Sequence, residues 1–458
     1  MSQSKETQSL KVDPIGKLLP RYSLPAICSM VIFSLYNIID SIYIGHGVGA
    51  MAISGLAITF PIMNLSFAFG LLVGVGGASL CSIRLGQQDM NGAQKVLGNV
   101  VILSIINSVC MAAVLLFFLD PILIAFGASE NTLPYARDFM QVILAGMPIS
   151  YTTFNLNHMM PASGYPRKSL MTAVLTISCN VVLAPLFIFV FHWGIRGAAT
   201  ATILAQIAGL FWVLRHYSSP RSIVHFSRNI FKLRLNIAKS IIVVGMPPFL
   251  INMCACCVVM LINTGLMKYG GDMAVGAYGI INRLLILFGM IAVGLSQGMQ
   301  PIVGYNHGAR RHGRVVRTLK YCMAIGACIT TIGFLISQLV PETIARMFTD
   351  DEELIAIAIH GLHMCTIAFP IVGTQIIIGN FFQAIGRAKI SIFLALSRQM
   401  IFLIPALIIL PMFLQQDGVW LSLPLADIVS TIVSALILMR YRREILRLKS
   451  RQGTMETV

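Results

Sequence analysis

Residues 24–45 read LPAICSMVIFSLYNIIDSIYIG, and residues 246–267, shifted by 222 positions, read MPPFLINMCACCVVMLINTGLM. Each is an apolar run of the length a helix needs to cross about 30 Å of hydrocarbon. Each carries a proline at its second position, Pro25 and Pro247. They differ at one place that matters: the first run holds a carboxylate, Asp40, where the second has Ile262. A carboxylate at membrane depth costs at least a few kcal/mol unless it is protonated, paired or hydrated, so Asp40 asks for a functional reason.

The same shift aligns the chain with itself over most of a half. Gly49 falls on Gly271, Gly76 on Gly298, Gly86 on Gly308, Phe126 on Phe348, Pro148 on Pro370 and Gly164 on Gly386. The chain of 458 residues is 57% hydrophobic and 11% charged, with a mean hydropathy of +0.81. A soluble domain would carry about 25% charged residues. Segments of about ten alternating residues, the mark of a β-barrel, are absent from the pattern. Twelve apolar runs are read at 22–44, 51–82, 94–118, 135–160, 168–191, 197–216, 240–266, 274–304, 316–340, 354–383, 390–413 and 418–440. The polar head, residues 1–20, leads into a full-length run without a cleavage pattern, so no cleavable signal is expected.

Six runs per half is an even number, so both copies enter from the same side and an axis along the membrane normal relates them. The expected fold is therefore all-α and integral to the membrane, with twelve transmembrane helices in two six-helix lobes about a pseudo-two-fold axis. The expected units are a first lobe over 1–216, a linker over 217–239, a second lobe over 240–443 and a basic tail over 444–458.

The formal charge of +16 does not point to nucleic acid, because it is concentrated in alternate loops. Of the 33 Lys and Arg, 27 fall on one side and four (Arg137, Arg196, Lys268 and Arg346) on the other, together with the acidic run TDDEE at 349–353. The positive-inside rule then places both termini and the linker in the cytoplasm of a multi-pass protein of the cell's inner or plasma membrane. All ten Cys lie in or at the ends of apolar runs, and even Cys254, Cys256 and Cys257 lack a CxxC gap, so they read as packing residues. The glycine-rich stretches HGVGAMAISG and VGVGGASL lack the strand, turn and helix order of a nucleotide loop.

Two bundles facing each other enclose a cleft that rocking exposes to either side. That makes a carrier of small molecules the leading reading. No ATP-binding segment is visible, so the driving force is expected to be an ion gradient. An integral-membrane enzyme is the alternative from another class. The nearest constellation for it, His360 and His363 one turn apart, has no carboxylate in its own run. No catalytic residues, bound metal or cofactor are expected, and the carrier is expected to act as a monomer in the lipid bilayer.

The run AYGIINRLLILFGMIAVGLSQGMQPIVGYNHGA at 277–309, its first-half counterpart ending in SIRLGQQD, and ASGYPRKS with its echo AIGRAKIS resemble the multidrug and toxic compound extrusion (MATE) family, in its MepA-like branch. The resemblance covers roughly residues 20–443. It implies export of lipophilic, often cationic compounds against an inward flow of protons or sodium. The alternative within the wider superfamily is a flippase-like carrier of an anionic or lipid-linked substrate.

Five polar residues break the repeat: Asp40, Asn180, Arg283, Arg398 and Asp427. At 1.5 Å per residue, Asp40 lies roughly 8 Å inside the outer end of its run. Thr202 sits at similar depth, and Asn180 one or two turns deeper. Tyr36 and Asn37 share the helix face of Asp40 and can hydrogen-bond it. In some members of the resembled family, a first-helix Asp, a fifth-helix Asn with an Asp four residues on, and a sixth-helix Thr form a cation site. Asp40, Asn180 and Thr202 match that set, but the second Asp is Ala184 here. Sodium prefers several oxygen ligands, by extension from calcium and magnesium, whereas a proton needs one carboxyl, so proton coupling through Asp40 is favoured over sodium. Pro25 can kink the first helix and link Asp40 to the shape of the cleft. Arg283, Arg398 and Asp427 each lie about 14 Å deep in the second lobe. They read either as buried charges that pair with one another or as part of a substrate cavity.

Overall fold

The computed structural model describes residues 10–48, 50–126, 128–227, 230–348 and 351–455; within these, side chains are described except at 33–39, 41–42, 45–46, 50–51, 53–54, 57, 256, 272 and 442–455. In hydrocarbon every backbone N–H and C=O must be satisfied within the segment, and the described residues answer with helices that cross twelve times. The first half contributes Ile15–Gly47, Ala50–Gly86, Met90–Phe117, a fourth span made of Leu133–Ala145 and Met147–Ala162, a fifth of Pro166–Pro185 continued by a π turn at Leu186–Val190, and a sixth, Gly194–Ser218.

The second half contributes Leu235–Gly271 and Met273–Gly308, which meet at Gly271, where φ is 67°. His312–Leu339 is the ninth span, and Glu352–Cys365 with Phe369–Ala384 the tenth. The eleventh joins Ala388–Leu396 and a π-helical stretch Ser397–Leu403 to residues 404–415, and the twelfth follows a break at Gln415.

The fourth and tenth runs, read from the sequence as single helices, are both broken. Helix restarts at Met147 and at Phe369, 222 residues apart, with Pro148 and Pro370 in the first turn of each new segment. Proline lacks the N–H that would continue the ladder and its ring crowds the carbonyl four residues back, so the break falls just before it. The two segments of the tenth span meet at 55°. Short helices at Leu119–Ala125 and Pro341–Arg346 repeat the same spacing. The first span, by contrast, is helical from Ile15 to Gly47 through Pro20 and Pro25.

The two ends of the bundle are built differently. At the end carrying the basic loops, one apolar core joins both lobes, with Tyr22, Leu85, Ile241, Met299 and Tyr305 among its members. Towards the acidic end the cores are separate, one around Ile44, Phe139 and Ile188 in the first lobe and another around Ile262, Tyr278 and Trp420 in the second. The basic end closes on glycine. A Cβ at Gly86 would overlap the carbonyl oxygen of Tyr305, and one at Gly308 would overlap that of Ile83. Gly86 and Gly308 are 222 residues apart, as are Ile83 and Tyr305. The duplication has therefore produced a self-complementary contact across the axis, of the kind a two-fold interface makes.

Segments preceding the first and seventh spans fasten this end crosswise. Leu10, fully buried, accepts at its carbonyl from Asn306 Nδ2 (3.2 Å) and from Arg314 (3.2 Å), which also reaches the Asp13 carbonyl at 2.6 Å. Arg311 donates to the Lys11 carbonyl at 2.8 Å. In the other direction Arg234 N donates to Asn99 Oδ1 at 2.8 Å, and Asn99 Nδ2 to the Lys232 carbonyl at 3.4 Å. Each lobe thus holds the leading segment of the other through backbone groups, which must find partners once buried.

Candidate functional site

Asp40 is 9% exposed, and its Oδ1 has no hydrogen-bond partner among the described residues. A buried acceptor without a donor carries the full cost of its lost hydration, about 1–3 kcal/mol and more when charged. The first span packs along the fifth, and the fifth along the sixth. At that junction Asn180, 2% exposed, donates from Nδ2 to Thr202 Oγ1 at 3.1 Å. Thr202 Oγ1 in turn lies 3.1 Å from the Ala198 carbonyl one turn earlier. Ala184, one turn beyond Asn180, is fully buried and adds no ligand atom from its side chain. The side chains of Tyr36 and Asn37 lie outside the described residues. Asp40 is therefore the carboxylate that this lobe sets inside its helices without a described donor on one oxygen.

In the second lobe, Arg398 Nε donates to Asp427 Oδ1 at 2.7 Å, with the aspartate side chain 10% exposed. A charge-assisted bond of that length is roughly twice as strong as one between neutral groups. Arg283 is placed elsewhere: its guanidinium lies 5.0 Å over the ring of Phe348, a cation–π contact, and it forms no ion pair among the described residues. The three do not act as one cluster.

The π-helical stretch Ser397–Leu403 carries Arg398 and Gln399 and rotates them relative to a regular helix; such stretches recur at functional sites. Gln375 Nε2 donates to Ser430 Oγ at 2.5 Å, and Ser430 is one turn from Asp427. The side-chain oxygens of Gln375 and Gln399 are buried without partners among the described residues. These glutamines were not singled out from the sequence, although a Gln amid PIVGTQIIIGN is the same kind of signal as Asp40. His360 does have a carboxylate: its Nε2 lies 2.8 Å from Asp417 Oδ1, supplied by the first turn after the break at Gln415, with both side chains about half exposed at the acidic end.

Two six-helix lobes that share a core at one end and keep separate cores at the other, with a carboxylate oxygen lacking a partner among the described residues in one and an ion pair in the other, form the architecture expected of a membrane carrier. The sequence profile of the MatE family matches twice, at residues 25–186 and 247–409, with starts separated by the same 222 positions as the internal repeat. The chain belongs to the MatE family.

Among its relatives, the multidrug export protein MepA of Staphylococcus haemolyticus is 26% identical over 432 residues, covering 94% of this chain and 95% of that one. MepA of Staphylococcus aureus strain MSSA476 is 25% identical over 430 residues, 93% of each chain. Among solved structures, the MATE multidrug transporter DinF-BH in complex with a dye is 33% identical, with a TM-score of 0.88 over 96% of this chain and 99% of that one. An outward-facing MATE transporter of the MOP superfamily, 24% identical, shares the fold at a TM-score of 0.90 over 97% and 99% of the two chains.

Proposed function

We infer that the protein is a multidrug exporter that works by alternating access and moves lipophilic, mainly cationic compounds outward in exchange for protons taken up by Asp40. The observation that carries this reading is the Asp40 carboxylate, buried with one oxygen unpartnered among the described residues, on a first span that packs along the fifth, whose Asn180 donates to Thr202 of the sixth. A sodium ion would need several oxygens there, and Ala184 supplies none from its side chain. A proton needs the one carboxyl. The export proteins and the dye complex named above support small-molecule substrates. The competing reading, an anionic or lipid-linked substrate, needs an uncompensated arginine in the cleft; Arg398 is matched by Asp427, whereas Arg283 lies over the Phe348 ring with no ion pair among the described residues and is the arginine that reading would use.

In purified protein reconstituted into liposomes, efflux of a fluorescent lipophilic cation is expected to follow an imposed proton gradient and to ignore an equal sodium gradient. Efflux driven equally by sodium alone would overturn the proton reading, and lipid scrambling without cation movement would overturn the exporter.

The basic end, with both termini and the linker, faces the cytoplasm in this reading. Thiol labelling of a Cys-free background with cysteine placed at Ser218 or at Asp351 is expected to show opposite sidedness. Labelling of both from outside would reverse the topology.

If the lobes separate and reclose at the basic end, Gly86 must return each time to the Tyr305 carbonyl. Gly86→Ala overpacks that contact, a change that typically costs about 1–3 kcal/mol. It is expected to lower the closed population, and with it transport, by about tenfold, while membrane insertion is unchanged. Measured transport equal to the parent's would show that this contact does not open and close.

A further inference from the structure

At the basic end, where Gly86 and Gly308 meet the opposite lobe, lies a cavity of about 530 Å³, lined by Lys11, Gly86, Gln87 and Gln88 from the first lobe and by Gly308, Arg310 and Arg311 from the second. Its lining contains three cations and no carboxylate. The acids nearest in sequence are engaged elsewhere. Asp89 pairs with Arg84 at 3.2 Å and accepts from Gly92 N at 2.7 Å, capping the third span. Asp13 lies 3.9 Å from Arg21. The Lys11 ammonium and the Arg310 guanidinium make no hydrogen bond or ion pair among the described residues. Arg311 spends one N–H on the Lys11 carbonyl and keeps the rest of its fork. The chain bends back on each side through a residue in the left-handed region, Gln88 at φ 63° and Arg310 at φ 56°, which are 222 residues apart. A neighbouring cavity of about 320 Å³ near Arg84, Lys95 and Arg234 differs in that Asp89 lines it and offsets their charge.

We propose that the larger cavity binds a phosphate-bearing anion, and that the bound anion holds the two lobes together at the basic end. A planar guanidinium fork matches the oxygens of a phosphate, and an ammonium completes the shell as a point charge. Because Lys11 belongs to one lobe and Arg310 and Arg311 to the other, the full set of contacts exists while that end is closed. A ligand that contacts one state better than another shifts the population toward it by its differential affinity. Binding itself needs nothing from the transport cycle; the consequence for turnover rests on the alternating-access reading above. The phosphate can come from the aqueous phase or from the headgroup of an anionic lipid.

The test uses the purified full-length chain and hydrogen exchange of peptides covering residues 10–14 and 305–311. Two probes are compared at constant ionic strength: inorganic phosphate against chloride, and phosphatidylcholine vesicles with and without phosphatidylglycerol. One of the two is expected to slow exchange in these peptides by about tenfold, and Lys11→Gln with Arg310→Gln is expected to remove the effect while leaving exchange in the lobe interiors unchanged. Protection by inorganic phosphate identifies an aqueous anion; protection by phosphatidylglycerol alone identifies a lipid headgroup. Equal protection by chloride, or a response that is the same in the double variant, overturns the site. Phosphate binding with no change in exchange overturns the clamping of the lobes. Failure of the exporter reading shows separately, as absent cation efflux with the protection intact.

Discussion

Asp40→Asn is expected to leave the protein folded and inserted yet to abolish transport driven by a pH gradient, with a loss of about 100-fold, near the upper end of what one linked site contributes. The substitution keeps the size of the side chain and its capacity for hydrogen bonds but cannot change charge. A proton-driven carrier needs a group that is charged when the cleft is open to one side and neutral when it reorients. Asp40 sits 9% exposed, with one oxygen unpartnered among the described residues, and its position in the repeat is held by Ile262 in the second lobe. Linkage between proton and substrate is reciprocal, so a substrate that binds the parent with a pH-dependent Kd should bind the variant with a flat one. Equilibrium binding of a fluorescent lipophilic cation across pH, together with efflux in liposomes, reads both effects. A variant that matches the parent in both would show that Asp40 is a hydrated carboxylate with no part in coupling.

That carboxylate was visible in the sequence because hydropathy isolates it and the duplication lacks it. The twelve spans were visible for a related reason: hydrocarbon permits few backbone solutions, and composition alone then sets the element type. Counting residues from the ends of each run places Asn180 and Thr202 near each other, and the structure joins them by a hydrogen bond of 3.1 Å. The same counting fails for Arg283, because rise along a helix fixes depth but not direction around it. Its guanidinium stacks on Phe348 rather than joining the Arg398–Asp427 pair. The breaks before Met147 and Phe369 were hidden because an apolar run reads alike whether its helix is straight or bent.

The crosswise docking of residues 10–13 and 232–234 was hidden more deeply. Its acceptors include the backbone carbonyls of Leu10, Lys11, Asp13 and Lys232, and every residue has one. The donors Asn306 and Arg314 are polar residues in a basic stretch that the orientation of the chain already accounted for, so nothing in the pattern called for a second role. His360 has its carboxylate 57 residues along the chain, beyond the reach of a search for partners on the same helix.

Replacing Asp427 by Asn tests the other lobe, and the expected outcome is a loss of folding before any change in specificity. Arg398 would be left among helices without a counter-charge, and breaking a buried ion pair from one side costs about 3–5 kcal/mol. Arg398 retains 30% exposure, so it is not fully desolvated by protein, which places the expected loss at the lower end of that range. Ser430, one turn along the same helix, holds Gln375, so the disturbance should spread to a glutamine whose other polar atom already lacks a partner among the described residues. The double replacement Asp427→Leu with Arg398→Met removes both charges and fills similar volume, and it is expected to restore most of the yield, since apolar isosteres of a buried pair are often neutral or stabilising. Yield and thermal unfolding in detergent separate the two variants from the parent. If Asp427→Asn instead folds as well as the parent and loses movement of cationic compounds alone, the pair is not there to keep charges tolerable, and Asp427 contacts the substrate.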